Sequence, residues 1–140
     1  MKKYLFPSDE IIDTSFFNIH QDRETPIPGF FIIELKRKAN SISEFSNSEA
    51  EEFIYLLKKL RKGMSDILKI KEVYLFQNED SKHGFHLWVF PRLDWMDDFG
   101  RKIQSVRPIM DYAEKNLASK KVISEVKRYV KEMKKYMTSI

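Results

Sequence analysis

The fold of this chain is decided by the stretch His83-Gly84-Phe85-His86-Leu87-Trp88-Val89-Phe90-Pro91-Arg92. Its alternating pattern is typical of a β-strand, which sends residues 84, 86, 88 and 90 to one face and residues 85, 87 and 89 to the other. His86 then lies in mid-strand among aromatic residues, where burying an imidazole costs free energy unless a partner or a chemical task offsets it. The stretch therefore predicts a strand that carries a functional histidine.

The composition is typical of a globular protein with one core. The chain has 140 residues, which suit one domain and are too few for two ordinary ones. It contains no cysteine, which excludes disulfides, zinc–thiolate sites, iron–sulfur clusters and cysteine nucleophiles. No apolar run reaches membrane-spanning length and the first residues lack a signal-peptide pattern, so we expect a cytoplasmic protein with no membrane partner.

The formal net charge of +4 has more than one interpretation. Much of the excess lies in the C-terminal third, where basic pairs interrupt a helical apolar pattern at Lys120-Lys121, Lys127-Arg128 and Lys134-Lys135. The simplest interpretation is a solvated helix face. A basic helix that binds another protein is an alternative. Nucleic-acid binding lacks support from any module signature, such as an aromatic RNP motif, and we do not expect it.

The remaining patterns predict an α+β domain with an antiparallel sheet. Strands are expected at 14–20, 30–35, 73–77 and 85–90, where β-branched and aromatic residues concentrate. The sequence Ser46-Asn47-Ser48-Glu49 is a capping box that starts an amphipathic helix reaching Leu68, expected to pack across the sheet. After a segment broken by Pro108, a final helix from about Ser119 to Met137 forms a C-terminal extension.

Aligned on Pro91-Arg92, the deciding strand resembles the signature of the histidine triad (HIT) nucleotide hydrolases and transferases. That signature is His-x-His-x-His followed by two apolar residues, often leading into Pro-Arg. Its three positions fall at Gly84, His86 and Trp88, so that only the middle one is histidine. A second match lies upstream, where the spacing from Pro28-Gly29 to Lys36-Arg37 is kept, while the family's two histidines there become Phe30 and Lys38.

The resemblance covers residues 14–92 and implies a HIT-like fold. It predicts a single domain over 1–140, with its core at 14–92 and a helical extension at 93–140. It also implies a homodimer, and a nucleotide or dinucleoside polyphosphate as the bound partner.

The resemblance further implies roles for individual residues. His86 corresponds to the nucleophile that attacks the α-phosphate and is transiently nucleotidylated. Asp22 falls where an acidic residue binds ribose hydroxyls, and Asn78 and Ser81 fall where polar residues contact phosphate. Trp88 has two interpretations, packing in the core and stacking on a nucleotide base.

A neutral imidazole is a competent nucleophile toward activated phosphorus. The flanking positions contribute less than in a full triad, because Gly84 has no side chain and Trp88 has one N–H donor and cannot shuttle a proton. Losing one transition-state donor costs about a hundred- to a thousandfold in rate. His83 could supply the missing imidazole if the strand begins after it or bulges.

Two other interpretations of the histidines remain open at this point. His86 could bind a ligand without turnover, in a catalytically impaired nucleotide-binding module, or could be structural. The pattern His83-x-x-His86 suits a metal site on a helix, but on a strand these side chains point to opposite faces. We therefore expect no metal and no cofactor.

Overall fold

The computed structural model describes residues 4–139 of the chain. Within them lies a five-stranded antiparallel sheet in the order β1-β2-β3-β5-β4. The strands are β1 (Glu10–Asp13), β2 (Phe17–Gln21), β3 (Phe31–Leu35), β4 (Val73–Phe76) and β5 (His86–Pro91). The α-helices are α1 (Asn47–Asp66), α2 (Val106–Asn116) and α3 (Lys120–Thr138), with short 3-10 helices at Ile42–Glu44, Asp94–Phe99 and Ile103–Ser105. The predicted α+β architecture, with a helix across an antiparallel sheet and a C-terminal helix, is confirmed.

The first strand was not predicted, and the second begins later than expected. β1 contains two apolar residues, of which Ile11 is buried, and it is defined by its pairing with β2 rather than by its own pattern. The strand predicted at 14–20 starts at Phe17 because Thr14 forms a turn. The Thr14 hydroxyl accepts a hydrogen bond from the Phe17 N–H at 3.0 Å, which keeps the intervening residues out of the ladder.

The helix that crosses the sheet begins where the capping box predicts. The Ser46 hydroxyl accepts from the Glu49 N–H at 3.1 Å, and the Glu49 carboxylate accepts from the Ser46 N–H at 2.8 Å. The helix ends at Asp66 rather than Leu68, and Lys69 then adopts a φ of 59°. The expectation that Pro108 breaks its segment is wrong. Pro108 lies in the first turn of α2, where the N–H that proline lacks has no intrahelical partner anyway.

The two faces of the sheet are covered by different helices. On the first face, strand residues such as Ile33 and Val89 pack with α1 and α3 in one apolar core. On the second face, Ile32 and Phe90 pack with α2 in a smaller core. The predicted alternation of β5 is confirmed, because Leu87 and Val89 belong to the first core and Phe90 to the second.

A buried guanidinium attaches the segment after β5 to the sheet. Arg92 donates to the Gly100 carbonyl at 2.8 Å and to the Ser105 hydroxyl at 3.2 Å. It also lies 3.3 Å from the Asp97 carboxylate and 5.4 Å from the centre of the Tyr74 ring. Since 3-10 helices and loops have little core of their own, these bonds hold the chain in place. They position α2 over one part of the second face and leave the rest of that face open.

Candidate active site

The open part of the second face forms a cavity of about 570 Å³ between the sheet and α2. Three of the five residues to which the resemblance assigns a role line it, namely His86, Asp22 and Trp88. They come from β5 and from the turn after β2, so the antiparallel order of the sheet brings them together. The other two, Asn78 and Ser81, are not among the described residues that line this cavity.

His86 is held in one tautomer by the backbone. Its Nδ1 lies 2.9 Å from the carbonyl oxygen of Gly84. A carbonyl oxygen only accepts hydrogen bonds, so Nδ1 carries a proton, and the neutral imidazole has its lone pair on Nε2. A neutral imidazole of this tautomer can act as a nucleophile through Nε2, and the side chain lines the cavity.

Gly84 has a backbone conformation that disfavours histidine. Its φ is +83°, and a Cβ at this position would lie 3.3 Å from the carbonyl oxygen of Ala39. The neighbouring Phe85 N–H donates to that same carbonyl at 2.6 Å. Residue 84 therefore contributes to the site through its own carbonyl oxygen, and the first position of a triad could not simply be restored here.

His83 lies outside the strand, because β5 begins at His86. This meets the condition under which His83 can reach the same side as His86, and it lines the same cavity. Its backbone N–H donates to the Ser81 hydroxyl at 3.0 Å. Ser81 thus stabilises the loop that carries His83, while Asn78 is exposed.

Asp22 stabilises the turn after β2 and also lines the cavity. Its carboxylate oxygen Oδ2 accepts from the backbone N–H of Thr25 at 2.9 Å and of Glu24 at 3.3 Å. Burial raises the pKa of Asp22, and the hydrogen bonds from Thr25 oppose this shift in part. Its place in the turn and its place in the cavity are compatible, because the turn uses one carboxylate oxygen.

Trp88 packs in the second core and also lines the cavity. Its ring meets Phe30 edge-on at 5.3 Å between centroids and Phe76 at 6.5 Å. Phe90, two residues further along β5, is fully buried and serves packing alone. The indole is therefore positioned by aromatic neighbours, with part of its surface left toward the cavity.

Two functional candidates, His20 and Glu34, were missed in the sequence. His20 is buried, and its Nδ1 lies 2.9 Å from the Asn18 side-chain oxygen. Burial chiefly, with the nearby charges of Arg23 and His86, lowers the pKa of His20 to about 4. The imidazole is thus neutral at pH 7, and its 4.0 Å approach to the Glu34 carboxylate is not an ion pair at that pH. These residues lie near His86 because of the register between strands, and the sequence pattern of a single strand could not have predicted this.

The charges around the cavity are mostly acidic. Its described lining includes two guanidinium groups, Arg23 from the turn after β2 and Arg107 from α2. The carboxylates of the lining are Asp22, Glu24, Glu34, Asp111 and Glu114. Among residues 4–139, no group of three or more histidine, aspartate or glutamate side chains has the geometry to hold a metal ion.

Similar folds occur among solved structures of histidine triad proteins. A member of the HIT family from Bacillus subtilis is 18% identical, with a TM-score of 0.56 over 81% of this chain and 90% of that chain. A hypothetical histidine triad nucleotide-binding protein from Sulfolobus tokodaii is 14% identical, with a TM-score of 0.62 over 90% and 83%. A Hit-like protein from Bartonella henselae is 12% identical, with a TM-score of 0.59 over 93% and 87%.

These likenesses define the class of fold: the chain has the fold of the histidine triad proteins. Coverage of up to 93% of the chain extends beyond residues 14–92, so the likeness includes more than the strands that carry the motifs. No family model matches the chain, and no curated protein matches it significantly. No helix within residues 4–139 is long and apolar enough to cross a membrane.

Proposed function

We propose that this protein is a nucleotide phosphohydrolase that acts through a transient nucleotidyl-histidine on His86. The substrate is a dinucleoside polyphosphate or a related phosphoanhydride or phosphoramidate. One observation carries the proposal: the Gly84 carbonyl fixes the proton of His86 on Nδ1, which leaves Nε2 as a nucleophile in a cavity shared with Asp22 and Trp88.

The reaction has two steps. In the first, the Nε2 lone pair forms a bond to the α-phosphorus, and the bond from that phosphorus to the leaving oxygen breaks, with the electron pair going to the leaving phosphate. In the second, water attacks the phosphorus and loses one proton, while the P–N bond breaks and its electron pair returns to Nε2. In this scheme Asp22 binds the ribose hydroxyls and the exposed part of Trp88 contacts the base.

The groups beside His86 favour a leaving group that needs no proton. Neither Gly84 nor Trp88 can transfer one, whereas a terminal phosphate with a second pKa near 6 departs as a stable anion. We therefore place phosphoanhydrides ahead of phosphoramidates. Arg23 and Arg107 supply positive charge for the phosphates. A divalent ion that arrives with the substrate would offset the negative charge of the carboxylates that line the cavity.

We also propose that residues 1–140 form a single domain and that the protein acts as a homodimer. The dimer is supported by β4, an edge strand of the sheet on which Leu75 is half exposed. Light scattering over a range of concentrations measures the oligomeric state, and a monomer throughout would contradict this part of the proposal.

The test is incubation of the wild type and the His86→Ala variant with diadenosine polyphosphates and adenosine phosphoramidate. We expect the wild type to turn over and His86→Ala to lose at least about a thousandfold in kcat, because the nucleophile is gone. Acid-free gel analysis with radiolabelled substrate should detect labelled wild-type protein and no label on His86→Ala.

His83→Ala is the matched comparison, because it removes an exposed imidazole from the same cavity. We expect it to retain the labelled intermediate. Turnover by His86→Ala at the wild-type rate would contradict the proposal.

A second candidate function is a nucleotide-binding module without turnover. The observation in its favour is the conformation of Gly84, which disfavours a flanking imidazole at the first triad position. Calorimetric titration separates the two functions: tight nucleotide binding by the wild type, with no turnover of any of these substrates, would identify the module.

A further inference from the structure

His86 has charged and polar neighbours on adjacent strands rather than along its own strand. In the antiparallel register, Glu34 of β3 lies directly opposite His86 of β5, and Asn18 of β2 lies opposite Glu34 on the other side. Residues in such pairs have Cβ atoms about 5 Å apart and share a face. His20 lies two residues beyond Asn18 on the same face. Asn18, Glu34 and His86 therefore form a row across three strands, and His20 lies in the next row, diagonal to Glu34.

We propose that Glu34 is the proton acceptor for the water that hydrolyses the nucleotidyl group on His86, replacing the imidazoles that the strand lacks. This inference rests on the proposed function and goes beyond it, because it assigns a second catalytic residue outside the motif. His20 is a positioning residue for Glu34, and Asn18 orients His20.

The position of Glu34 suits a base for the second step. It lines the same cavity as His86, and its side chain is 34% exposed, so that water reaches the carboxylate. Glu34 lies across from His86, and a water held by its carboxylate can attack the phosphorus in line, on the side opposite Nε2, while its proton passes to the carboxylate. The other carboxylates of the cavity lie in the turn after β2 or on α2, and none is paired with His86 in the sheet.

Glu34 is also available as a base because no strong cation neutralises it. Among residues 4–139, no lysine or arginine lies within 4.0 Å of its carboxylate, and its one close basic neighbour is His20, at that distance. The nearest lysine in sequence, Lys36, pairs instead with Asp13. Because His20 is neutral at pH 7, it supports the carboxylate sterically without forming an ion pair.

The water oxygen forms a bond to phosphorus, one water proton moves to the Glu34 carboxylate, and the P–N bond breaks with its electron pair returning to Nε2 of His86. The protonated Glu34 then releases its proton to solvent. General base catalysis of this kind contributes about a hundred- to ten-thousandfold in rate.

The test is the Glu34→Gln variant, which keeps the size of the side chain and removes the base. We expect formation of the intermediate to persist, with a burst of about one equivalent of leaving group per protein, followed by a steady state slower by about a hundredfold. Radiolabel from the substrate should accumulate on the variant to a higher level than on the wild type. Glu34→Asp should recover part of the second step.

His20→Asn tests the positioning role and should slow the second step less than Glu34→Gln does. Because a positioning residue acts on one step, it should lower kcat and leave the amplitude of the burst intact, whereas a general loss of structure would lower both. Thermal unfolding of each variant checks that the fold is retained.

Glu114→Gln is the electrostatic control, because it removes the same charge from α2 on the other side of the cavity. It should not accumulate the intermediate. Glu34→Gln that turns over like the wild type, or that loses the burst itself, overturns the assignment of Glu34. Turnover by His86→Ala, or no turnover by the wild type, would instead contradict the proposed function, so the two failures are distinguishable.

Discussion

The two faces of the sheet are built by the same strands, yet they differ in what covers them. The first face is closed by α1 and α3, and its strand residues belong to one continuous apolar core. The second face is covered by α2 over part of its area, and part of the remainder is the cavity of His86. β3 makes the contrast plain, since Ile33 faces the first core while Ile32 and Glu34 face α2 and the cavity. The helices that cover the first face stabilise the fold, whereas the uncovered part of the second face leaves space for a reaction site.

Truncating a side chain that is buried on the first face should lower stability and leave activity unchanged. Leu60 of α1 is fully buried in the first core, so Leu60→Ala should lower the free energy of unfolding by about 2–5 kcal/mol through lost burial and a residual cavity. Urea denaturation measures the change. Ile54→Ala, on the exposed side of the same helix, should change stability by less than about 0.5 kcal/mol. Equal losses from the two variants would contradict the division between a core face and a solvent face of α1.

The free energy of unfolding should depend on pH through His20, which lies on the second face. Its pKa is about 4 in the folded protein against an ordinary value of 6.5, so the unfolded state binds more protons between these values. Stability is therefore unaffected by this group above about pH 6.5 and decreases as the pH falls toward 4. From pH 7 to pH 5 the wild type should lose about 2 kcal/mol relative to His20→Gln, which has no titrating group there.

Urea denaturation of the two proteins at each pH measures this difference. His83→Gln, which replaces an exposed histidine, is the control and should lose stability with pH as the wild type does. A parallel pH dependence in the wild type and His20→Gln would show that His20 is not buried in its neutral form.

Substitution of Gly84 should affect both stability, through the backbone conformation, and activity, through the position of His86. Gly100 has a similar φ and serves as the control that separates these two effects. Gly84 and Gly100 have φ values of 83° and 84°, and a Cβ at Gly100 would meet nothing within 4 Å. Substitution of either by alanine should cost about 1–3 kcal/mol of stability, because a side chain disfavours the positive φ.

Gly84→Ala should in addition reduce activity, because the new Cβ crowds the Ala39 carbonyl and displaces the oxygen that holds Nδ1 of His86. Thermal unfolding and kcat, measured on both variants, test this. Unchanged activity in Gly84→Ala would contradict the role assigned to this carbonyl.

Several elements were predictable because their signals are local. The capping box places the start of α1 through bonds between Ser46 and Glu49, which lie three residues apart. The alternation of β5 was also predictable, since apolar and aromatic residues follow its two-residue period. β1 was missed because four residues with one buried side chain carry too little pattern. Pro108 was misinterpreted because a proline in a first turn and one in a helix interior look alike until the helix boundary is known.

The sequence by itself determined the strand that carries His86, the helices whose apolar periods bury them against the sheet, and the resemblance to a family of nucleotide hydrolases. Tertiary structure alone decided the surroundings of that histidine. The tautomer of His86 depends on the Gly84 carbonyl, and the row of Asn18, Glu34 and His86 depends on the register of three strands. The physical reason is that side-chain periodicity follows from one segment, whereas the residues that meet across strands are set by hydrogen bonds between distant segments.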